Sequence, residues 1–149
     1  MSSFICMAMD NDLQELYQAV ILEHNRAPYN KYIPKSYHAH ADGYNPSCGD
    51  KVTVYVNFDE CVISELAFSG EGCAISQASA SLMMQLLKNK TKAEALSIVG
   101  NVCKGLSGSG IDLSKYGDVG ALVGVRKFPM RIKCATIAWH TLENAIRRT

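Results

Sequence analysis

Six cysteines are the residues of this sequence best suited to chemistry, and three of them occupy similar positions. Cys48 lies in a turn, Cys73 follows Gly-Glu-Gly at an expected helix start, and Cys134 lies in the first turns of the expected last helix. Backbone N–H groups at a helix start stabilise a thiolate. Loops and helix starts also let side chains reach a shared surface site. These three cysteines are therefore candidates for a common thiol or metal site.

The other three cysteines carry weaker signals. Cys61 begins an expected strand and Cys103 lies near an expected helix end, so we interpret both as small apolar residues. Nothing supports a role for Cys6. A disulfide framework is disfavoured because the sequence opens without a secretory signal and a domain of 149 residues can bury a sufficient core without bridges.

Asp50 stands two residues after Cys48, at the entrance to an expected strand, where residues i and i+2 point the same way. Three thiolates and one carboxylate form an S₃O donor set suited to Zn²⁺ or to the irons of a small cluster. The alternative for Asp50 is a carboxylate that caps the turn. There is no Cys-x-x-Cys pair, so the fold itself must bring the cysteines together.

The elements that position these residues follow from periodicity. Val52, Val54, Val56 and Phe58 alternate with polar residues, which predicts a half-buried strand over 51–58. A second strand over 61–69, with Val62, Leu66 and Phe68 facing inward, completes an antiparallel hairpin, and an edge strand is expected near 37–41. Helices are expected over about 10–26, 73–88 and 91–104, and from Pro129 onward, with a short turn over 118–122.

Strands that come early, followed by helices, predict an α+β fold with a small antiparallel sheet and helices packed on one face. Residues 1–9 are expected to form a flexible tail and residues 10–149 a single domain. No apolar run is long enough for a membrane span, and the net charge of +1 disfavours a general nucleic-acid binder. We therefore expect a cytoplasmic protein that binds neither nucleic acid nor membrane.

Charge is nonetheless unevenly distributed. Residues 1–75 carry 4 basic against 10 acidic residues, and residues 76–149 carry 11 against 4. Four of the basic residues stand just before Cys134: Arg126, Lys127, Arg131 and Lys133. They are either solvated surface, or they offset a negative site or meet an acidic partner.

Three sequence blocks, in this order, resemble the IscU/SufU family, whose module also forms the N-terminus of NifU. They are Asn-Pro-Ser-Cys-Gly-Asp at 45–50, Gly-Glu-Gly-Cys-Ala-Ile-Ser-Gln-Ala-Ser at 70–79 and Phe-Pro-Met-Arg-Ile-Lys-Cys-Ala at 128–135. The SufU type is the most similar. Lys133 replaces the histidine that IscU-type members carry before the third cysteine, and residues 101–120 fit the extra segment of SufU-type members.

The resemblance implies an α+β fold with a three-stranded antiparallel sheet and a Zn²⁺ site formed by Cys48, Asp50, Cys73 and Cys134. It also implies iron–sulfur cluster assembly: Cys48 accepts persulfide sulfur from a PLP-dependent cysteine desulfurase of the SufS type, after a partner histidine replaces it on the metal. The sulfur then passes to downstream Fe–S assembly or thiolation proteins.

Other functions are compatible with the same residues. The same four ligands suit a scaffold that assembles and transfers a labile [2Fe–2S] cluster, so the chain is either a sulfurtransferase-like carrier or a non-enzymatic scaffold. A cysteine hydrolase would use Cys48 as nucleophile and His38 or His40 as base. A purely structural zinc domain is the fourth reading. Arg131 is either a residue of the docking surface or an ordinary exposed charge.

Overall fold

The sheet has three antiparallel strands in the order β1–β2–β3. The computed structural model describes residues 18–149. The strands are β1 (Ala39–Asn45), β2 (Asp50–Asp59) and β3 (Val62–Glu71). The tail predicted at residues 1–9, and residues 10–17 of the predicted first helix, lie outside the described residues. The predicted α+β class and the small antiparallel sheet are confirmed.

In residues 18–149, four helices and one 3₁₀ segment accompany the sheet. They are α1 (residues 18–26), α2 (Ala74–Leu87), α3 (Lys92–Leu106), the 3₁₀ segment (Ser114–Lys127) and α4 (Pro129–Arg147). Local sequence explains their starts. Thr91 and Glu94 form the predicted capping box of α3, Cys73 is the N-cap of α2, and Pro129 opens α4.

The core lies between the sheet and helices α2 and α4. Helix α4 packs on β1 and β2, and α2 packs on β3 and α4. Trp139 of α4 is fully buried and donates its indole N–H to the Ser79 hydroxyl of α2 at 2.8 Å. Helix α1 is attached by His24, whose Nδ1 lies 2.7 Å from the Ser81 hydroxyl. Within residues 18–149, no helix is both long and apolar enough to cross a bilayer.

Two strand predictions were wrong in detail. Strand β1 covers Ala39–Asn45 and not 37–41, because its pairing with β2 continues to the Asn45–Asp50 pair. In β3, Val62 is exposed and Ile63 is buried instead. The pairing with β2 slips between Asn57 and Phe58, and this bulge changes which residues of β3 face the core.

The segment before α4 is longer than the predicted turn over 118–122. A 3₁₀ conformation runs from Ser114 to Lys127 and is interrupted at Tyr116 and Gly117. Three-residue periodicity is short-ranged and leaves little pattern in a sequence. Helix α3 also runs two residues beyond the predicted end at 104, and both added residues, Gly105 and Leu106, are buried.

Candidate metal centre

The site lies at the end of the sheet where β1 passes into β2. Asn45 is the last residue of β1 and pairs with Asp50, the first residue of β2. The four-residue connection between them carries Cys48, whose N–H donates to the Asn45 carbonyl at 3.3 Å. Gly49 completes the turn with φ +69°, a conformation that favours glycine. The Pro-, Asn- and Gly-containing sequence therefore folds as a tight loop that presents Cys48.

Helix α4 brings Cys134 to the same point. One ligand atom from each of Cys48, Asp50 and Cys134 lies within 4.8 Å of the others. The two sulfurs, Cys134 Sγ and Cys48 Sγ, are 3.0 Å apart. Cys134 and Asp50 are buried, whereas Cys48 is half-buried and open to solvent on one side. Two thiols and a carboxylate gathered in this way are a donor set able to hold a metal ion.

Cys73 reaches the same end of the sheet but falls outside this 4.8 Å cluster. Its Sγ accepts the Ser76 N–H at 3.5 Å and so caps α2. Its own N–H donates to Asp50 Oδ1 at 2.8 Å. The structure thus gathers three of the four predicted ligands closely and places the fourth one hydrogen bond away.

Asp50 is held by three donors, although only 1% of its surface is exposed. Oδ1 accepts the Cys73 N–H at 2.8 Å and the Ser76 hydroxyl at 3.1 Å, and Oδ2 accepts the Asn45 side-chain amide at 3.2 Å. A buried carboxylate requires such partners. Asp50 therefore links the Cys48 loop to the N-terminus of α2, and its role as turn cap and its role as ligand are compatible.

Asn45 and Ser76 had no predicted role. Both belong to blocks that carry the resemblance, and Asn45 stands at the last position before the loop. An asparagine just before a Pro- and Gly-containing turn, five residues ahead of Asp50, is the sequence signal that could have pointed to Asn45. Both side chains are buried at the site, with 6% of Asn45 and 4% of Ser76 exposed.

The surroundings of Cys134 disfavour its thiolate form. Burial raises the pKa of the Cys134 thiol far above its usual value, and its contact with the Cys48 thiol adds to the shift. Cys73 and Asp50 raise the pKa of Cys134 further. The predicted helix N-terminal stabilisation does not dominate at Cys134, which lies in the second turn of α4.

Cys61 and Cys103, the other two cysteines among residues 18–149, lie apart from the cluster. Cys61 is exposed in the turn between β2 and β3, which differs from its interpretation as a packed apolar residue. Cys103 is half-buried against the core, and burial, with a smaller effect of Glu143, raises its pKa to about 12. Neither thiol is placed for metal binding in the described part of the chain.

The basic residues before Cys134 are exposed, and one of them has a structural role. Arg126 donates to the carbonyls of Gly105 and Ile111 and fastens the chain that follows α3. Lys127, Arg131 and Lys133 are exposed beside the start of α4.

The histidine arrangement does not support a hydrolase. His38 Nδ1 accepts the Phe58 N–H at 2.9 Å. His40 pairs with Tyr55, five residues along β2 from Asp50, or about 17 Å at the usual rise of a strand. Neither imidazole is in reach of Cys48 as a general base.

The chain is similar to known proteins over most of its length. The family model described as NifU-like N terminal domain matches residues 16–147. SufU of Bacillus subtilis, named a zinc-dependent sulfurtransferase, is 39% identical over 143 residues, covering 95% of this chain and 97% of the relative. IscU of Streptococcus pyogenes, named an iron–sulfur cluster assembly scaffold protein, is 39% identical over 144 residues, covering 92% and 86%.

A solved structure extends the likeness to three dimensions. The crystal structure of FiSufU, a SUF-system protein from Fervidobacterium islandicum, superposes with a TM-score of 0.77 at 36% identity, covering 85% of this chain and 93% of that one. The family match spans all three cysteine blocks and all the strands and helices described above. The chain therefore belongs to the family of NifU-like N-terminal domains.

Proposed function

We propose that this chain is an iron–sulfur cluster assembly protein that accepts sulfur on Cys48 at a zinc centre. The observation that carries the proposal is the convergence of Cys48, Asp50 and Cys134 within 4.8 Å. The donor of the sulfur is the persulfide of a PLP-dependent cysteine desulfurase of the SufS type. The similarity to a protein named a zinc-dependent sulfurtransferase supports both the metal and the reaction.

The donor set fits zinc. Cysteine sulfur and a carboxylate oxygen are ligands that Zn²⁺ takes in tetrahedral sites. Cys48, Asp50 and Cys134 would hold it together with Cys73, whose sulfur would turn away from its capping position. When bound, Zn²⁺ keeps cysteine sulfur in the thiolate form, against the high pKa of the Cys134 thiol in this buried setting.

Cys48 is the sulfur best placed to leave the site and react. Its loop ends in Gly49, whose side-chain position faces open space, and Cys48 itself is half-buried, so this edge of the loop is not packed against the rest of the protein. Cys134 is fully buried in α4, and Cys73 is fixed at the start of α2. A partner protein can therefore engage Cys48 while the other ligands stay in place.

The reaction is a thiol–persulfide exchange. The Cys48 thiolate attacks the outer sulfur of the desulfurase persulfide. A bond forms between Cys48 Sγ and that sulfur, the bond between the outer sulfur and the desulfurase cysteine breaks, and the desulfurase cysteine leaves as a thiolate. One persulfide is consumed and one is formed, so no oxidant or reductant is needed. Downstream Fe–S assembly or thiolation proteins would receive the sulfur.

The test compares Cys48→Ala with Cys61→Ala, because Cys61 is an exposed thiol at a strand turn outside the cluster. The protein is incubated with a SufS-type desulfurase and ³⁵S-cysteine. The label transferred to the protein is counted, and mass spectrometry locates the residue that carries the added sulfur. We expect label on Cys48 of the wild type, its loss in Cys48→Ala and normal labelling in Cys61→Ala. A Cys48→Ala protein that carries as much label as the wild type would rule out Cys48 as the sulfur acceptor.

A scaffold function is the second candidate, because the same ligands suit a [2Fe–2S] cluster and one relative is named a scaffold protein. Anaerobic incubation with iron and sulfide separates the two functions. A stable visible chromophore that transfers to an apo-ferredoxin would favour the scaffold. Sulfur transfer from the desulfurase without such a chromophore would favour the carrier.

A further inference from the structure

Asn45 contacts all three residues of the metal cluster, although it offers no charge and had no predicted role. Its side-chain Nδ2 donates to Asp50 Oδ2 at 3.2 Å and to Cys134 Sγ at 3.7 Å. Its backbone carbonyl accepts the Cys48 N–H at 3.3 Å. One amide thus joins a ligand from β2 to a ligand from α4, 84 residues apart in the chain.

These contacts divide the site into two parts. Asp50 and Cys134 are tied to each other through Asn45, and Asp50 is tied in addition to the start of α2 by the Cys73 N–H. Cys48 has one backbone hydrogen bond and the thiol contact with Cys134. Asp50 and Cys134 are buried and held by these contacts. Cys48 is half-buried and lies on a loop whose Gly49 faces open space.

We propose that Asn45 is a positioning residue that holds Asp50 and Cys134 together so that the site keeps its metal while Cys48 is engaged elsewhere. This inference rests on the proposed function. When Cys48 carries sulfur or meets a partner, the metal depends on the remaining ligands. The Asn45 amide donates to both Asp50 and Cys134, and so it adds a shared donor to the direct proximity of these two side chains.

The hydrogen bonds explain why an amide is suited to this task. Asp50 Oδ2 and Cys134 Sγ are both acceptors in the metal-bound state, and an amide N–H₂ has two donors to share between them. A carboxylate in place of Asn45 would repel Asp50, and an apolar side chain would leave both acceptors without this donor. Partners that orient a metal ligand typically change metal affinity 10–100-fold when they are removed.

The test measures zinc affinity by competition with a chromogenic chelator, with zinc alone as the probe. Asn45→Leu preserves much of the volume without a donor, and Asn45→Ala removes both. Asn57→Ala is the matched control, because Asn57 also makes several side-chain hydrogen bonds but with Ser36, His38 and Glu65, at the other end of β2. We expect about 10–100-fold weaker zinc binding in both Asn45 variants and wild-type affinity in Asn57→Ala.

Asn45→Leu in a Cys48→Ala background tests the site when the Cys48 ligand is missing. We expect Cys48→Ala to retain zinc and Cys48→Ala/Asn45→Leu to lose it to the chelator at least tenfold faster. A merely structural role would lower the unfolding temperature of the zinc-free protein and leave zinc affinity and release unchanged. Unchanged affinity in folded Asn45→Leu and Asn45→Ala overturns the inference.

The result also separates this inference from the proposed function. If wild-type protein binds zinc but takes no label from the desulfurase, the acceptor role fails while the role of Asn45 is still decided by the affinities. If label reaches Cys48 normally and the Asn45 variants bind zinc as wild type does, only the role of Asn45 fails. A wild type that binds no zinc overturns both the zinc centre and the Asn45 inference.

Discussion

Gly72→Ala is the substitution with the clearest expected effect on the site, because Gly72 stands directly against Asp50. A Cβ at position 72 would lie 2.5 Å from Asp50 Oδ1 and 2.6 Å from Ser76 Oγ. The carboxylate must withdraw by about 0.9 Å to reach an ordinary contact of 3.4 Å. The same Cβ would lie 3.1 Å from the Asp50 Cα, so a rotation of the carboxylate alone does not relieve all of the crowding.

The cost follows from the contacts that this movement breaks. Asp50 Oδ1 accepts hydrogen bonds of 2.8 Å from the Cys73 N–H and 3.1 Å from the Ser76 hydroxyl, and a shift of this size lengthens both beyond useful range. Gly72 is itself exposed, but the added methyl group would press on the buried Asp50 and Ser76 side chains, and overpacking of this kind costs about 1–3 kcal/mol. For a domain of this size, each kcal/mol lowers the unfolding temperature by roughly 2–4 °C.

Urea unfolding of the zinc-free protein measures the stability, and chelator competition measures zinc affinity. Gly100→Ala is the control, since a Cβ there meets nothing within 4 Å and the residue lies within α3. We expect Gly100→Ala to gain roughly 0.5–1 kcal/mol from helix propensity. We expect Gly72→Ala to lose stability and zinc affinity together. A Gly72→Ala protein with wild-type stability and zinc affinity would refute this account of how Asp50 is packed.

Two further substitutions test the structure away from the metal. Ser79→Ala removes the acceptor of the Trp139 indole N–H, both residues being fully buried, and is expected to cost about 1–3 kcal/mol in urea unfolding; an unchanged free energy of unfolding would contradict that hydrogen bond. The hydrogen bond from Tyr32 to Glu65, with smaller effects of burial and of the carboxylate charge, raises the pKa of Tyr32 from 10.0 to about 12. Because the folded state holds this proton more tightly, the contribution to stability is present below pH 10 and is lost as the pH rises toward 12. Ultraviolet titration should show a late tyrosine transition that Tyr32→Phe removes, and a transition that persists would assign it to another tyrosine.

The sequence predicted well those elements whose signal is local. Alternation fixed the position of β2, the capping box fixed the start of α3, and Pro129 with its following apolar stripe fixed α4. Strand β1 was misplaced because its length depends on pairing with β2 and not on its own pattern. The phase of β3 failed at Val62 because a bulge is a property of two strands together.

The site shows the same boundary between local and non-local information. Residue type and position pointed to Cys48, Cys73 and Cys134, the spacing from Cys48 added Asp50, and the resemblance implied all four as zinc ligands. The donors around Asp50 could not be predicted, because the Ser76 hydroxyl reaches it from another element 26 positions away. Side-chain hydrogen bonds of this kind depend on how separate elements pack, and the local patterns of one sequence do not show which side chains that packing brings together.

The unequal holding of the ligands bears on whether the site relays sulfur or builds a cluster. A carrier requires one sulfur that leaves easily and a remainder that retains the metal, whereas a stable cluster requires every ligand to stay. The structure gives Asp50 three hydrogen-bond donors and buries Cys134, whereas Cys48 is half-buried on a loop whose Gly49 faces open space. That asymmetry favours transfer through Cys48. It also means that any cluster on the same ligands would be most easily lost at Cys48, so the feature that serves a relay would make a scaffold labile.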